Sequence, residues 1–441
     1  MAQFAQGTGI PGGNNDMSRR HRLLFVSSRY LFPTDSGGKI RTVNILRGMK
    51  GGAFEITLAS PLPVRARPGD AADVDSVCDR FVGWPDTARG ALFRWTRMRH
   101  LISELPVAVA TDESSLGRWA IAREIEQGPD VVVVDFPHAA VLAPPPYPCS
   151  SVLFTHNVEA EIFRRHVEVA RNPLKRAIWR NQADKMDRYE RELLLRYTSV
   201  VAVADRDRDY FRRTYGVGNV STIPTGVDLN YFTFRESAVL EDREGGTVVF
   251  TGSMDWIANV DGVEFFMDAV WPAVSRARRR ARCVIVGRSP PRGLIERARA
   301  RQLNWVFTGF VDDVRPFVHN AHVYVIPLRV GGGTRIKVYE AMAMGCPVVS
   351  TRIGVEGLPV EPGRHFLEAD SAEDMAAAVL SLLDDREHST RLSLQARKFV
   401  EENMSAQRAA RVFEQICLRA LRNANAAGAL GASTGVPGTN L

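Results

Sequence analysis

The chain has 441 residues, 45% of them hydrophobic and 24% charged, with a formal net charge of +7. That profile suits two or three soluble domains and excludes a mainly disordered, collagen-like or disulfide-stapled polypeptide. Its five cysteines stand singly, so neither a disulfide framework nor a zinc site is expected. The modest positive charge permits a phosphate-bearing ligand or an anionic membrane without requiring either.

Residues 1–20 are small and polar and read as disordered, with neither the basic start nor the apolar core of a signal peptide. No run of about 18 apolar residues occurs, so no transmembrane helix is expected. Apolar runs then follow one another: LLFVSS (23–28), EITLAS (55–60), VVVVD (131–135), SVLFT (151–155), SVVAVA (199–204) and VSTIP (220–224). A second series comprises TVVFTG (247–252), CVIVG (283–287), NWVFTG (304–309), VYVIP (323–327) and PVVST (347–351). They are rich in Val and Ile without strict alternation, as strands buried on both faces of a parallel sheet are, and helical patterns separate them. Two such series predict two doubly wound α/β domains, 21–228 and 229–404, with a hinge in 225–246. A last helix over 405–421 carries Val412, Phe413, Ile416 and Leu421, and 422–441 read as a disordered tail.

The segment PLRVGGGTRIKVYEAMAMGCPVVST carries the clearest chemistry. A strand ends near Pro327, three glycines follow, Thr334 is the expected N-cap, and the helix ends at Gly345. Glycines at a helix start let the backbone present N–H groups to an anion. Arg335 and Lys337 fall in the first turn, where the macrodipole is already positive. Cations there cost about 0.3–1 kcal/mol each unless an anion sits in front of them. Glu340 lies one turn on, where its carboxylate can accept hydroxyl bonds from a ribose. A plain Lys337–Glu340 surface pair would leave the glycines unexplained. The first half repeats the pattern: a strand leads into Gly37-Gly38, then a helix with Lys39 and Arg41 at its start. His156 follows SVLFT at the C-terminal end of a strand, where doubly wound folds bind ligands. Glu159 and Glu161 are close to it in sequence.

Two segments admit rival readings. Asp205, Asp207 and Asp209 have the spacing of a metal-binding DxD motif, but they open a helix after a strand, where aspartates serve as caps. Residues 88–103, ARGALFRWTRMRHLIS, mix aromatic and aliphatic residues with four arginines. They suit either a helix lying on an anionic membrane or a core-packed helix with a basic edge.

The motif PLxxGGGTxxKxxEAMAxGxPVVST resembles the donor-binding motif of the GT-B-fold glycosyltransferases of family four, the group-1 type. The likeness runs along most of 22–421 and includes SGGKIR, FTHNVE, FTGSMDWIANVDGV and FTGFVDDV. The resemblance implies two Rossmann-like domains facing a cleft, with the last helix crossing back to the N-terminal domain. It implies a hexosyltransferase of the retaining kind, which uses a nucleotide-diphosphate sugar and needs neither metal nor cofactor. The donor would lie between Gly37, Gly38 and Lys39 on one side and Gly252, Ser253, Asn259, Gly332, Gly333, Thr334 and Glu340 on the other. The backbone of Val311 would meet the base, and His156 would sit near sugar and acceptor as a positioning and polar group. Of the family's two glutamates with seven residues between them, Glu340 matches the second and Gly332 the first. The usual basic pair falls on neutral Ser253 and Asn259, so Arg335 and Lys337, with Arg288, are read as supplying the charge. The expected setting is exopolysaccharide or glycolipid assembly in the cytoplasm, at the inner face of the membrane if 88–103 binds lipid. A saccharide or lipid-linked acceptor is implied, and no nucleic acid. A nucleotide-sugar epimerase of the same fold and a non-catalytic nucleotide-sugar-binding protein are the alternatives.

Overall fold

A computed structural model describes residues 20–34, 36–63, 65, 67–86, 99–169, 172–235, 245–330 and 335–433, with side chains as far as Asn423. The apolar runs become strands of two all-parallel sheets. The first holds β1 (His21–Ser27), β2 (Phe54–Pro61), β3 (Arg80–Trp84), β4 (Val131–Asp135), β5 (Ser150–Phe154), β6 (Ser199–Ala202) and β7 (Val220–Thr222). Their order is β3-β2-β1-β4-β5-β6-β7. The second holds β8 (Thr247–Thr251), β9 (Arg282–Val286), β10 (Trp305–Gly309), β11 (Val323–Ile326), β12 (Val348–Ser350) and β13 (Leu367–Glu368), in the order β10-β9-β8-β11-β12-β13.

Central strands are buried throughout: β4 and β5 have no exposed position. Helices therefore cover both faces, and the apolar runs need no alternation. Each sheet reverses its order beside its first strand, and crevices for ligands open there, at the carboxyl ends of the strands. In the first sheet that point lies between Ser27 and Asp135, which are paired in register. In the second it lies at the ends of β8 and β11.

The last helix, Ala406–Ser433, packs into the N-terminal core. Phe413 meets Phe154 edge-on at 5.0 Å, and Ser150 Oγ donates to the Ala420 carbonyl at 3.0 Å. Gly48 permits the close approach, since a Cβ there would lie 2.5 Å from that of Ala410. The helix runs beyond the expected 421, so residues 422–433 are helical and not a loose tail. Its start pairs with the interdomain linker: Val227 N donates to Met404 O at 2.7 Å and Ala406 N to Val227 O at 2.8 Å. Both chain crossings thus run side by side at the back of the cleft.

Two edge strands, β3 and β13, were absent from the sequence expectation. RFVGW has a glycine and an exposed arginine, and Leu367–Glu368 is two residues long. Among the described residues no helix is long and apolar enough to cross a membrane.

Candidate active site

Three cavities lie along the facing ends of the sheets. The largest, about 530 Å³, is walled by the helix Gly37–Met49, the linker residues Thr225–Asp228 and, from the C-terminal domain, Ile336 and Glu340. A second, about 430 Å³, lies between Asn157–Arg165 and Ala204–Asp207 on one side and Arg335 and Glu356–Leu358 on the other. A third, about 220 Å³, belongs to the N-terminal domain and is lined by Arg29, Lys39, Asp135, Phe136, His138 and Glu159 among others. Asn157 and Ile162 line both smaller cavities.

On the C-terminal side the helix starts at Ile336, with Arg335 as its N-cap and no side-chain cap. The expected cap Thr334 and the glycines Gly331, Gly332 and Gly333 lie outside the described residues. Arg335 is buried, and its Nη2 donates to the Ile353 carbonyl at 3.2 Å. Lys337 does not pair with Glu340 in the manner of a surface helix. Its Nζ donates to the Thr251 carbonyl at 3.1 Å and to Asn259 Oδ1 at 3.2 Å, and stands 4.4 Å from the Phe250 ring centroid. Burial, then Arg335, lowers its pKa to about 7 against the opposing pull of Glu340. Burial raises Glu340 to about 7, with Lys337 opposing. Burial thus works against the charge on both groups while each favours the other's, so a ligand's charge shifts the balance between them.

The neutral positions are tied into the same network. Asn259 Nδ2 donates to the Ser253 carbonyl at 2.8 Å, and Arg288 Nε reaches Ser253 Oγ at 2.8 Å and Asp255 at 3.1 Å. Arg288 therefore places its guanidinium beside neutral Ser253, with Asp255 as its ion-pair partner. Gly252 is held to glycine by this crowding: a Cβ there would lie 2.8 Å from Asn259 Nδ2 and 3.1 Å from Lys337 Nζ. Val311 packs at the edge of the second domain's core.

On the N-terminal side the helix begins at Gly37. A Cβ on Gly37 would meet nothing, whereas one on Gly38 would lie 2.6 Å from the end of the Phe136 ring. Lys39 Nζ donates to the Pro33 carbonyl at 3.3 Å and faces the smallest cavity. His156 is 3% exposed and lines none of the three cavities. Its Nε2 is 2.8 Å from Asp135 Oδ1, its Nδ1 is 3.4 Å from Arg41 Nη1, and Phe136 stacks on it at 3.8 Å. Arg41 can only donate, so Nδ1 accepts and the proton of the neutral ring resides on Nε2, facing Asp135. Burial lowers the imidazole pKa, Asp135 opposes this, and Arg41 adds to it. His156 thus lies beneath the cleft surface, with Arg41 between it and the largest cavity.

Asp135 and Phe136 have no counterpart in the sequence reading, whereas Arg41 is named there at the helix start. The signal for Asp135 was present: a carboxylate closing an otherwise all-valine strand at the switch point of the sheet. Phe136 has φ 68°, a conformation rare for a side chain of its size. The aspartate run is tied up in ion pairs and hydrogen bonds at a helix start. Asp205 and Asp209 bind Arg208, Asp205 accepts from Thr222, and Asp207 lies 3.5 Å from Arg206 at the start of the helix Asp205–Tyr215. Among the described residues no cluster of three or more His, Cys, Asp or Glu is placed to hold a metal. Most of 88–103 lies outside the described residues; of its end, Ile102 is 92% exposed.

Comparison with known proteins agrees with the architecture. Residues 36–231 match the model described as Glycosyltransferase Family 4, and residues 245–385 match Glycosyl transferases group 1. A phosphatidyl-myo-inositol mannosyltransferase of Mycolicibacterium smegmatis is 32% identical over 195 residues, 42% of this chain and 48% of that protein. The corresponding Mycobacterium leprae protein is 27% identical over 223 residues, 49% of this chain and 59% of the relative. The matched regions thus span about half the length of these relatives. Among solved structures, sucrose-phosphate synthase from Thermosynechococcus elongatus superposes with a TM-score of 0.59 at 16% identity, covering 94% of this chain and 100% of that one. Anabaena HepE, solved with UDP and glucose, gives 0.58 at 13% identity, covering 90% and 99%.

Proposed function

The chain belongs to the group-1, family 4 glycosyltransferases, and from that premise we propose that it moves a sugar from a nucleotide-diphosphate sugar to a polysaccharide or glycolipid acceptor. The transfer retains the anomeric configuration and uses no metal. The observation that carries the reading is the helix Ile336–Ala343, which sets Lys337 against the end of β8 and turns Glu340 to the interdomain cavity. The names of the mannosyltransferase relatives support a lipid-linked acceptor.

In this reading the glycine loop and the helix start receive the diphosphate, Glu340 accepts from the ribose hydroxyls, and the Val311 loop faces the base. As the bond from the anomeric carbon to the diphosphate oxygen breaks, negative charge builds on the leaving group. Lys337, Arg335 and Arg288 lower the energy of that charge, and a cation about 4 Å away contributes roughly 4 kcal/mol at an effective dielectric of 20. The acceptor hydroxyl enters from the same face, and the departing oxygen takes its proton. A peripheral contact with an anionic membrane through 88–103 belongs to the same proposal; sedimentation with anionic vesicles, reversed by salt, is its test.

The test of function is product analysis with nucleotide sugars, glycolipid acceptors and EDTA. Transfer with retained configuration in the presence of EDTA is expected. Loss of transfer on chelation, restored by manganese, would overturn the metal-free mechanism, and an altered sugar formed from donor alone would identify an epimerase.

A further inference from the structure

Arg41 is the least well satisfied charge in the described cleft. It is 6% exposed, lines the largest cavity, and is the fifth residue of the helix that begins at Gly37. A guanidinium carries five N–H donors. Among the described residues its acceptor is a single nitrogen, His156 Nδ1 at 3.4 Å, and its Nε is buried without any partner. Asp207 and Asp135 lie near enough to favour its charge, yet neither makes an ion pair with it. One turn on, Asn44 lines the same cavity, and its Nδ2 is also buried and unpartnered.

Burying a cation without a bonded anion is costly, and structures that do so keep it for something else. The surroundings show what holds it there. Asp135 accepts from Thr42 Oγ1 at 3.2 Å and from Ser27 Oγ at 3.4 Å, and binds His156 at 2.8 Å. His156 is clamped between Phe136 and Phe154. The imidazole therefore cannot turn away, and its lone pair fixes the guanidinium.

We propose that Arg41 is the N-terminal domain's binding cation for the diphosphate of the ligand in the cleft, and that Asp135 and His156 act by positioning it. The proposal rests on the nucleotide-diphosphate-sugar reading above and adds what the opposite wall contributes. Among the described residues nothing lies within 4 Å of a Cβ placed on Gly37, and Gly37, Glu340 and Ile336 line the same cavity from the two domains. A diphosphate held by the Lys337 helix thereby meets a second cation across the cleft. Asn44 supplies a neutral donor beside it. His156 touches no substrate in this arrangement, and its ring nitrogens are both occupied.

The experiment is titration calorimetry with the uridine, guanosine, adenosine and thymidine diphosphates and, by competition, the matching nucleosides. Wild type is expected to bind at least one diphosphate. Arg41→Gln should weaken that diphosphate roughly 10- to 100-fold, the range of a lost charge-assisted hydrogen bond, and leave the nucleoside within about twofold. Arg41→Lys should recover part of the loss, since charge returns without the planar fork. His156→Gln should weaken the diphosphate in the Arg41 background and change nothing further in Arg41→Gln. If Arg41→Gln does not fold, the Arg41→Lys deficit and its non-additivity with His156→Gln decide the matter. Equal loss for diphosphate and nucleoside, unchanged diphosphate affinity, or additive losses would overturn the assignment. A wild type that binds none of the diphosphates would instead remove the donor reading beneath it.

Discussion

The two walls of the cleft start from one sequence pattern and end in different electrostatic states. In each, the sequence runs from a parallel strand through glycines to a helix with basic residues near its start. In the C-terminal domain the cation is Lys337, tied to the Thr251 carbonyl and Asn259 of its own domain and lowered to about 7. In the N-terminal domain it is Arg41, lowered only to about 10 by burial and held through an imidazole. An ammonium desolvated this far gives up its proton near neutrality, whereas a guanidinium stays charged. The comparison teaches that the helix start sets where charge is wanted, and residue type sets whether it is permanent or summoned by the ligand.

The largest expected effect is at the summoned charge. Lys337→Ala should lower kcat about 10²–10³-fold, the usual cost of one preorganised electrostatic group. Position alone argues that the apo protein would hold or gain stability, because a cation leaves the positive end of a dipole. The hydrogen bonds argue otherwise: the mutant leaves the Thr251 carbonyl and Asn259 Oδ1 without their donor, so a loss of about 1–3 kcal/mol is expected in chemical denaturation. Full turnover per folded molecule would make Lys337 purely structural.

The next effect is on pH dependence. Diphosphate binding wants Lys337 charged, so affinity should fall as pH rises through about 7. Hydroxyl recognition wants Glu340 ionised, so affinity should also fall as pH drops through about 7. Calorimetry across pH should therefore give a maximum near neutrality. Glu340→Gln should weaken donor binding by about 1.5–3 kcal/mol and flatten the acid arm. An acid arm that survives in Glu340→Gln would detach Glu340 from the ligand.

A smaller effect separates two adjacent glycines. Gly38→Ala places a methyl 2.6 Å from the Phe136 ring, which is itself stacked on His156. Overpacking of this kind costs about 1–3 kcal/mol and disturbs the Arg41 relay. Gly37→Ala meets open space and should be neutral, or stabilising by about 0.4–1 kcal/mol through the unfolded chain. Thermal melts of both variants decide it, and equal losses would show that Phe136 does not guard the position.

The central strands and the helix starts at Gly37 and Ile336 were legible because valine runs and glycine–basic spacing are local signals. β3 and β13 were not, because β3 carries an exposed arginine and a glycine that break the pattern and β13 is only two residues long. Glu340 and Lys337 were legible by helix spacing, but their environments were not. That Lys337 bonds across to β8 depends on the packing of residues 86 apart in sequence. The Asp135–His156–Arg41 chain escaped for the same reason: it joins the ends of two neighbouring strands to a helix more than a hundred residues upstream of the histidine.

The central claim is that the Ile336–Ala343 helix and its facing wall hold a nucleotide-diphosphate sugar. The direct measurement is a thermal-unfolding screen of wild type, Lys337→Ala and Glu340→Gln against a panel of nucleotide-diphosphate sugars. The account predicts that at least one, at 100 times its Kd, adds about 2.7 kcal/mol of apparent stability to wild type, and that both variants lose most of this gain at the same concentration. A panel that leaves wild type unmoved, or a shift that persists in full in both variants, would contradict it.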